Sequence, residues 1–188
     1  MSYKLIRFAI SVLLNIGVFS GVAQTIEKKP EAIFPLLSMN GDTISVTLSH
    51  RFTCICFFSI YCKPCLYELK FLEENKAAWE KDFDVEIVAV CNYSDMIYYK
   101  KIQSFSDKKK FSFPLYLDVN NALADFLYNS PNIVKDNNFR DFKGKFDVLR
   151  PQMYIFDAKN NIIAQYRGLN VSNEQEINNL FKRSKVPQ

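Results

Sequence analysis

Glycine and proline are scarce in this chain, at 5 and 7 of 188 residues, which excludes a collagen-like or linker-rich architecture. The charge excess is equally small, with 24 Lys and Arg against 20 Asp and Glu. Lys4 and Arg7 lie in an N-terminal segment that has no acid, so the remainder carries about +2 and has no nucleic-acid footprint. The only basic run, Lys108-Lys109-Lys110, reads as a solvated loop. Histidine occurs once, as His50. Beyond the N-terminal segment no run is long and apolar enough to span a membrane, and no internal repeat is visible. What is abundant is apolar and aromatic material: 48% hydrophobic residues, 17 Phe and 10 Tyr. That suffices for one well-filled core, in one domain over residues 24–188.

Residues 1–23 read as a secretory signal peptide. Lys4 and Arg7 form a positive n-region, Phe8 to Phe19 an apolar stretch, and Gly21-Val22-Ala23 the small residues before a cleavage point. An uncleaved anchor is the alternative, since Phe8 to Ile26 is uncharged and just long enough to span. Membrane attachment is expected only in that case. Either way the domain is expected outside the cytoplasm, exported to the periplasm or cell envelope, where thiols can oxidise. The five cysteines are an odd number, so they cannot all pair internally. A domain of this length does not need disulfide staples, and redox chemistry is the better account.

Along the chain, Ile33 to Leu37 and Thr43 to Leu48 flank Asn40-Gly41-Asp42, a hairpin signal. Phe52 to Ser59 reads as a central strand buried on both faces. A helix follows from the Cys62-Lys63-Pro64-Cys65 segment to about Lys81. Pro64 is tolerated in its first turn, where its missing N–H would have no partner. Val85 to Cys91 is a second buried strand, Asp95 to Phe105 a helix capped near Ser94 or Asp95, Phe113 to Leu117 a strand, and Asn121 to Tyr128 a short helix. Asn129 to Val148 is polar and has no clear period. Gln152 to Asp157 and Ile162 to Tyr166 form a hairpin. Ser172-Asn173-Glu174-Gln175 is a capping box that opens a last helix. The pattern is an α/β fold, a central mixed sheet flanked by helices with an N-terminal β-hairpin.

A strand that runs directly into Cys-x-x-Cys at a helix start carries specific chemistry. At that start, unpaired N–H groups and the helix dipole stabilise a Cys62 thiolate, and Lys63 adds positive charge. Cys65, one turn in, is placed to resolve a mixed disulfide. The other reading is a structural pair or half of a metal site, whose second half would have to be Cys54-x-Cys56. Those two share a strand face about 7 Å apart and lack a Gly-rich knuckle, so core packing accounts for them better and no metal is expected. Cys91 ends a strand on the side where such sheets place their sites, which makes it a candidate third thiol. Glu68 shares a helix face with Cys65, Leu69 and Leu72. A carboxylate on that stripe is either a proton donor and acceptor for Cys65, its pKa raised by burial, or a side chain reaching the helix edge to pair with a lysine. Arg150-Pro151 precedes a strand, and the sequence alone does not decide whether that bond is cis or trans.

The stretch Phe57-Phe58-Ser59-Ile60-Tyr61-Cys62-Lys63-Pro64-Cys65, followed by Glu68, resembles the active-site segment of the TlpA/ResA-like family of thioredoxin-fold thiol–disulfide oxidoreductases. Phe113 to Asp118, Pro151 to Asp157 and Gly168 match later landmarks of that family in order and spacing, and the resemblance covers about Ile33 to Phe181. It implies a thioredoxin-like fold and a periplasmic or membrane-facing oxidoreductase with no cofactor. The partners implied are a protein disulfide or dithiol substrate and a membrane-linked redox donor. By resemblance, Cys62 is the nucleophile, Cys65 the resolving thiol, Glu68 the active-site acid and Pro151 the cis-proline that faces the dithiol. Tyr61, Lys63, Pro64 and Arg150 would line the substrate path.

Three positions depart from the pattern. Tyr61 stands where Trp is usual, Lys70 replaces a Pro that commonly kinks the helix, and the segment at about 129–148 is longer than usual. Such an insertion would sit beside the site as a lid or partner surface. Arg150 is expected to lower the Cys62 pKa or to favour acidic substrates. Three rival readings remain on the same fold. A thiol peroxidase would place Pro where Ile55 stands, and a copper chaperone would need a His near its cysteines. The third is a non-catalytic partner-binding domain with a vestigial cysteine pair.

Overall fold

The computed structural model describes residues 32–183, apart from residues 132, 134, 136, 137 and 170 and the side chains of residues 171 and 172. The segment read as a signal peptide therefore lies outside the described residues, as does the Ser172 side chain of the capping box.

Nine strands and four α-helices are found among the described residues. Seven strands form one mixed sheet in the order β2-β1-β5-β4-β3-β8-β9. At its centre are β3 (Phe52–Phe57), β4 (Val85–Cys91) and β5 (Leu115–Leu117), which run parallel. Every residue of β3 is buried, as its unbroken apolar run predicts for a strand covered on both faces. β8 (Gln152–Asp157) lies antiparallel to β3, with Phe57 opposite Gln152, and β9 (Ile162–Tyr166) completes that edge. The N-terminal hairpin, β1 (Ile33–Ser38) and β2 (Thr43–Thr47), pairs with β5 at the other edge. Gly41 takes positive φ in its turn, which a residue with no Cβ does without strain.

Two cores cover the two faces. On one, α1 (Lys63–Phe83), α2 (Tyr99–Lys109) and α4 (Val171–Arg183) pack Leu69, Leu72, Trp79, Ile102, Ile177 and Phe181 against the sheet. On the other, α3 (Ala122–Asn129) contributes Leu123, Ala124 and Leu127. The side chains of Cys54, Cys56 and Cys91 share the α1 face with Cys65, as the two-residue period of a strand requires. α1 ends at Asp84, whose left-handed backbone and N–H to Glu80 O stop the helix. The Asp84 carboxylate then holds the start of β3, 2.9 Å from His50 Nδ1 and 3.0 Å from the Arg51 N–H. His50 is thus at the sheet end away from Cys62, not near the cysteine pair as a copper chaperone would require. Lys108, Lys109 and Lys110 are exposed, in keeping with a solvated run.

Two expectations are corrected. The helix read from Asp95 begins earlier and has two parts, a 3₁₀ turn over Tyr93–Tyr98 and then α2. Asp95 is buried in that turn, not at its cap: its Oδ2 accepts from the Asn92 N–H at 3.2 Å. The segment at 129–148 is not irregular throughout, because it contains a second hairpin, β6 (Phe139–Phe142) and β7 (Lys145–Val148). Lys143 and Gly144 both take positive φ in its two-residue turn, the conformation that matches strand twist. Tyr128 of α3 stacks on Phe146 at 3.7 Å between ring centroids and meets Phe139 edge-on. The hairpin is thereby fixed to the body of the fold.

Candidate active site

The end of β3 and the start of α1 create the site. Cys62 is the N-cap of α1, with extended backbone, and its Sγ accepts the Cys65 N–H at 3.3 Å. A sulfur in that position receives the hydrogen bond that an Asp or Ser oxygen makes in an ordinary N-cap, and it faces the positive end of the helix dipole. Pro64 in the first turn gives up only an N–H that the helix leaves unused. No acid lies in that first turn, so nothing there opposes a thiolate. Cys62 and Cys65 are joined as a disulfide. Cys62 is partly exposed and Cys65 fully buried, the asymmetry expected of an attacking and a resolving sulfur.

Behind the pair, Glu68 is completely buried on the same helix face as Cys65, Leu69 and Leu72. Its Oε2 accepts from Cys56 Sγ at 3.2 Å, and Oε1 has no protein partner. Burial pushes its carboxyl up to about 7, against a smaller opposing effect of the Cys56 hydrogen bond. The alternative of a side chain reaching out to a lysine is set aside. Cys56 is correspondingly more than packing: its thiol is held protonated, pushed well up by burial and by Glu68. Cys54 is buried, and burial raises its pKa. Cys91 is buried as well, its thiol raised by burial and by Asp95. Neither has the exposure that marks a reactive thiol.

In front of the pair lies a cleft of about 310 Å³. Ser59, Tyr61 and Cys62 form one wall, and Arg140, Val148, Leu149 and Arg150 the other. The Arg150–Pro151 bond is cis, as the resemblance implied. Gly168, at positive φ, lies against that proline: a Cβ there would come 3.6 Å from Pro151 Cγ. Tyr61 is 58% exposed and packs edge-on against Tyr98, and Lys101 Nζ lies 5.8 Å from its ring centroid. Lys63 and Pro64 are exposed beside it. α1 runs unbroken past Lys70, consistent with the absence of a proline there.

A polar network that the sequence does not reveal fastens the far wall. Asn92 pairs with both backbone groups of Val148, its Oδ1 accepting at 3.1 Å and its Nδ2 donating at 2.7 Å. The Arg150 guanidinium forms an ion pair with buried Asp95. Arg140 Nη2 donates to Asp147 Oδ2 at 2.9 Å, and Asp147 is itself buried. Arg150 therefore does not bring an uncompensated charge to Cys62. Burial holds the Asp95 carboxyl above its usual value against the pull of Arg150, with Asp147 adding to the upward push. Of these residues the sequence points to Arg150 as a site residue and to Asp95 only as a helix cap. Asn92 and Asp95, three apart at a helix start, were the one available signal, while Arg140 and Asp147 gave none.

Among the described residues no cluster of His, Cys, Asp and Glu is arranged to hold a metal ion, and no helix is long and apolar enough to cross a membrane. No family model matches the chain. It is 28% identical over 120 residues to the sporulation thiol-disulfide oxidoreductase A of Bacillus subtilis, covering 63% of this chain and 72% of that protein. Among solved structures, StoA from Bacillus subtilis superposes with a TM-score of 0.55 at 20% identity, over 79% of this chain and 97% of that one. Peroxiredoxin Q from Xanthomonas campestris superposes with a TM-score of 0.57 at 18% identity, over 80% and 90%. The fold is thus thioredoxin-like, but fold alone does not separate a disulfide reductase from a peroxidase. The residues bear on that choice, since a buried isoleucine, Ile55, stands seven positions before Cys62. The chain is thioredoxin-like in fold and similar in sequence to a thiol–disulfide oxidoreductase, and its Cys62–Cys65 pair fits a redox-active site.

Proposed function

We propose that this protein is an exported protein-disulfide reductase of the TlpA/ResA-like kind, acting in the periplasm or cell envelope and recharged by a membrane-linked dithiol donor. The observation that carries the reading is the Cys62–Cys65 disulfide at the start of α1, its outer sulfur in a cleft and its inner sulfur on the helix face that carries a buried acid.

In the reduced protein the Cys62 thiolate attacks one sulfur of a substrate disulfide. A Cys62–substrate disulfide forms, the substrate S–S bond breaks, and the departing thiolate takes a proton. Cys65 then gives its proton to the Glu68 carboxylate and attacks Cys62 Sγ. The internal disulfide forms, the second substrate thiolate leaves, and two electrons have passed to the substrate. A carboxyl that titrates at about 7 is matched to that proton transfer at neutral pH. A dithiol donor returns the pair to its reduced form by the reverse exchange. Pro151, Tyr61, Lys63, Pro64 and Arg150 line the path of the substrate segment, and the 129–148 insertion closes its far side.

A reducing direction is supported by the electrostatics. A pair becomes strongly oxidising when its reduced form is stabilised. Here the Arg150 cation is already engaged by Asp95, and a carboxyl rather than a cation lies behind Cys65. The test is to mix the reduced protein, and its Cys65→Ser variant, with a peptide disulfide. The wild type is expected to release two peptide thiols and become oxidised, and Cys65→Ser to hold a mixed disulfide at Cys62. Stable partner binding by Cys62→Ser, with no exchange by the wild type, would establish a non-catalytic domain instead.

A further inference from the structure

The inserted hairpin brings to the cleft a residue that neither the motif nor the fold requires. Arg140 lies on β6, on the wall opposite Cys62, and its side chain is 51% exposed. Its bond to Asp147 uses Nη2, one part of a fork that has five N–H donors. Asp147 is 1% exposed and takes only one part of the fork, so it aims the group and offsets its charge at a distance while leaving outer N–H donors for a carboxylate in direct contact. Arg150 stands next to it on the same wall, backed in the same way by buried Asp95. On the opposite side, Lys63 is exposed directly after Cys62, and Lys101 lies over the ring of Tyr61. Among the described residues, none that lines the cleft is acidic. A segment entering to meet Cys62 thus encounters cations on both sides, while the carboxylates that hold two of them stay in the interior.

We infer that the β6–β7 hairpin is a substrate-selecting element, and that Arg140 on it favours protein segments carrying an acidic residue beside the reacting cysteine. The inference rests on the reading of Cys62 as nucleophile. The covalent step is unchanged: two electrons go from the Cys62–Cys65 dithiol to the substrate disulfide, which leaves as two thiols. Charge acts on the encounter and on the hold before that step, where complementarity mainly speeds association and rejects like-charged partners. A planar guanidinium suits a carboxylate in particular, because it can donate two parallel hydrogen bonds to it.

The experiment uses the reduced full chain and three symmetrical peptide disulfides that differ only in having Asp, Ser or Lys on both sides of the cysteine. Each rate is divided by that of the same peptide with dithiothreitol, whose attacking thiolate carries a single negative charge as that of Cys62 does, which removes the effect of the flanking charge on intrinsic reactivity. At low salt the normalised rate is expected to be about tenfold higher for the Asp than for the Lys peptide, with Ser between. The ratio should collapse towards one at about 0.5 M salt. Arg140→Gln should lower the ratio and Arg140→Lys largely keep it, a comparison that cancels any loss common to all peptides. Equal normalised rates for the three peptides in the wild type would overturn the inference even if the variants fail to fold. A preference that survives Arg140→Gln would overturn the hairpin's part in it. Reaction with none of the peptides would remove the oxidoreductase reading itself.

Discussion

Replacing Glu68 with glutamine should abolish a pH dependence of folding that one buried carboxyl imposes on this protein. Its pKa rises from an ordinary 4.5 to about 7 on folding. Between those values the native state keeps a proton that the unfolded chain has released. Stability then falls as pH rises: the contribution is fully present below about 4.5 and exhausted above about 7. The size is about 3 kcal/mol across the window, a large part of the stability of a single domain. His50 complicates a simple titration. Its hydrogen bond to Asp84 raises its pKa, so it too gives up stability as pH rises. Glu68→Gln keeps His50, and the difference between wild type and variant isolates the carboxyl. The assay is urea denaturation of the oxidised proteins at intervals from about pH 4.5 to about 8, with stabilities compared at each pH. The wild type should lose about 3 kcal/mol relative to Glu68→Gln over that range. Curves parallel to within about 0.5 kcal/mol would mean that Glu68 titrates as an ordinary surface acid, and the proton-transfer step assigned to it would fall.

Cys56→Ala should move the same titration upward. The thiol donates to the ionised carboxylate and so favours its charged form; losing about 1.5 kcal/mol of hydrogen bonding raises the Glu68 midpoint by about one pH unit. The pH profile of disulfide exchange should shift with it, and Cys56→Ser, which restores a donor, should largely reverse the shift. At the other end of the sheet, Phe181 packs its ring 4.9 Å from Phe52, 5.3 Å from Trp79 and 5.7 Å from Phe83, measured between centroids. Phe181→Ala should cost about 3–5 kcal/mol in denaturant unfolding, while the exchange rate of the remaining folded protein stays at the wild-type value.

The parts of the fold legible in the sequence are those where one local signal decides. β3 and β4 are unbroken apolar runs, β1–β2 flanks an Asn-Gly turn, and α1 opens on a proline and carries a clear apolar stripe. The β6–β7 hairpin has no such signal. Its apolar residues, Phe139, Phe142, Phe146 and Val148, are interleaved with charges, and its turn is Lys143-Gly144 instead of Asn-Gly. What holds it is Tyr128, from the preceding helix, and Asn92, 56 residues before Val148. The site divides the same way. Cys62, Cys65 and the odd placement of Glu68 on an apolar stripe are visible in a short stretch of sequence. The Cys56–Glu68 bond joins a strand to a helix across the core. The Arg150–Asp95 and Arg140–Asp147 pairs likewise join residues that only the folded chain brings into one wall. Arg150 was expected to act directly on Cys62, and its pairing with Asp95 is the reason its charge there is reduced.

The reduction potential of the Cys62–Cys65 couple, obtained by equilibrating the protein with dithiothreitol or glutathione, tests the central claim most directly. With Arg150 neutralised by Asp95 and a buried carboxyl behind the resolving thiol, the reduced form gains no unusual stabilisation. A value near the thioredoxin end of the range, about −270 mV, is predicted. A value near −120 mV would make the protein an oxidant of its partners and contradict the reductase account.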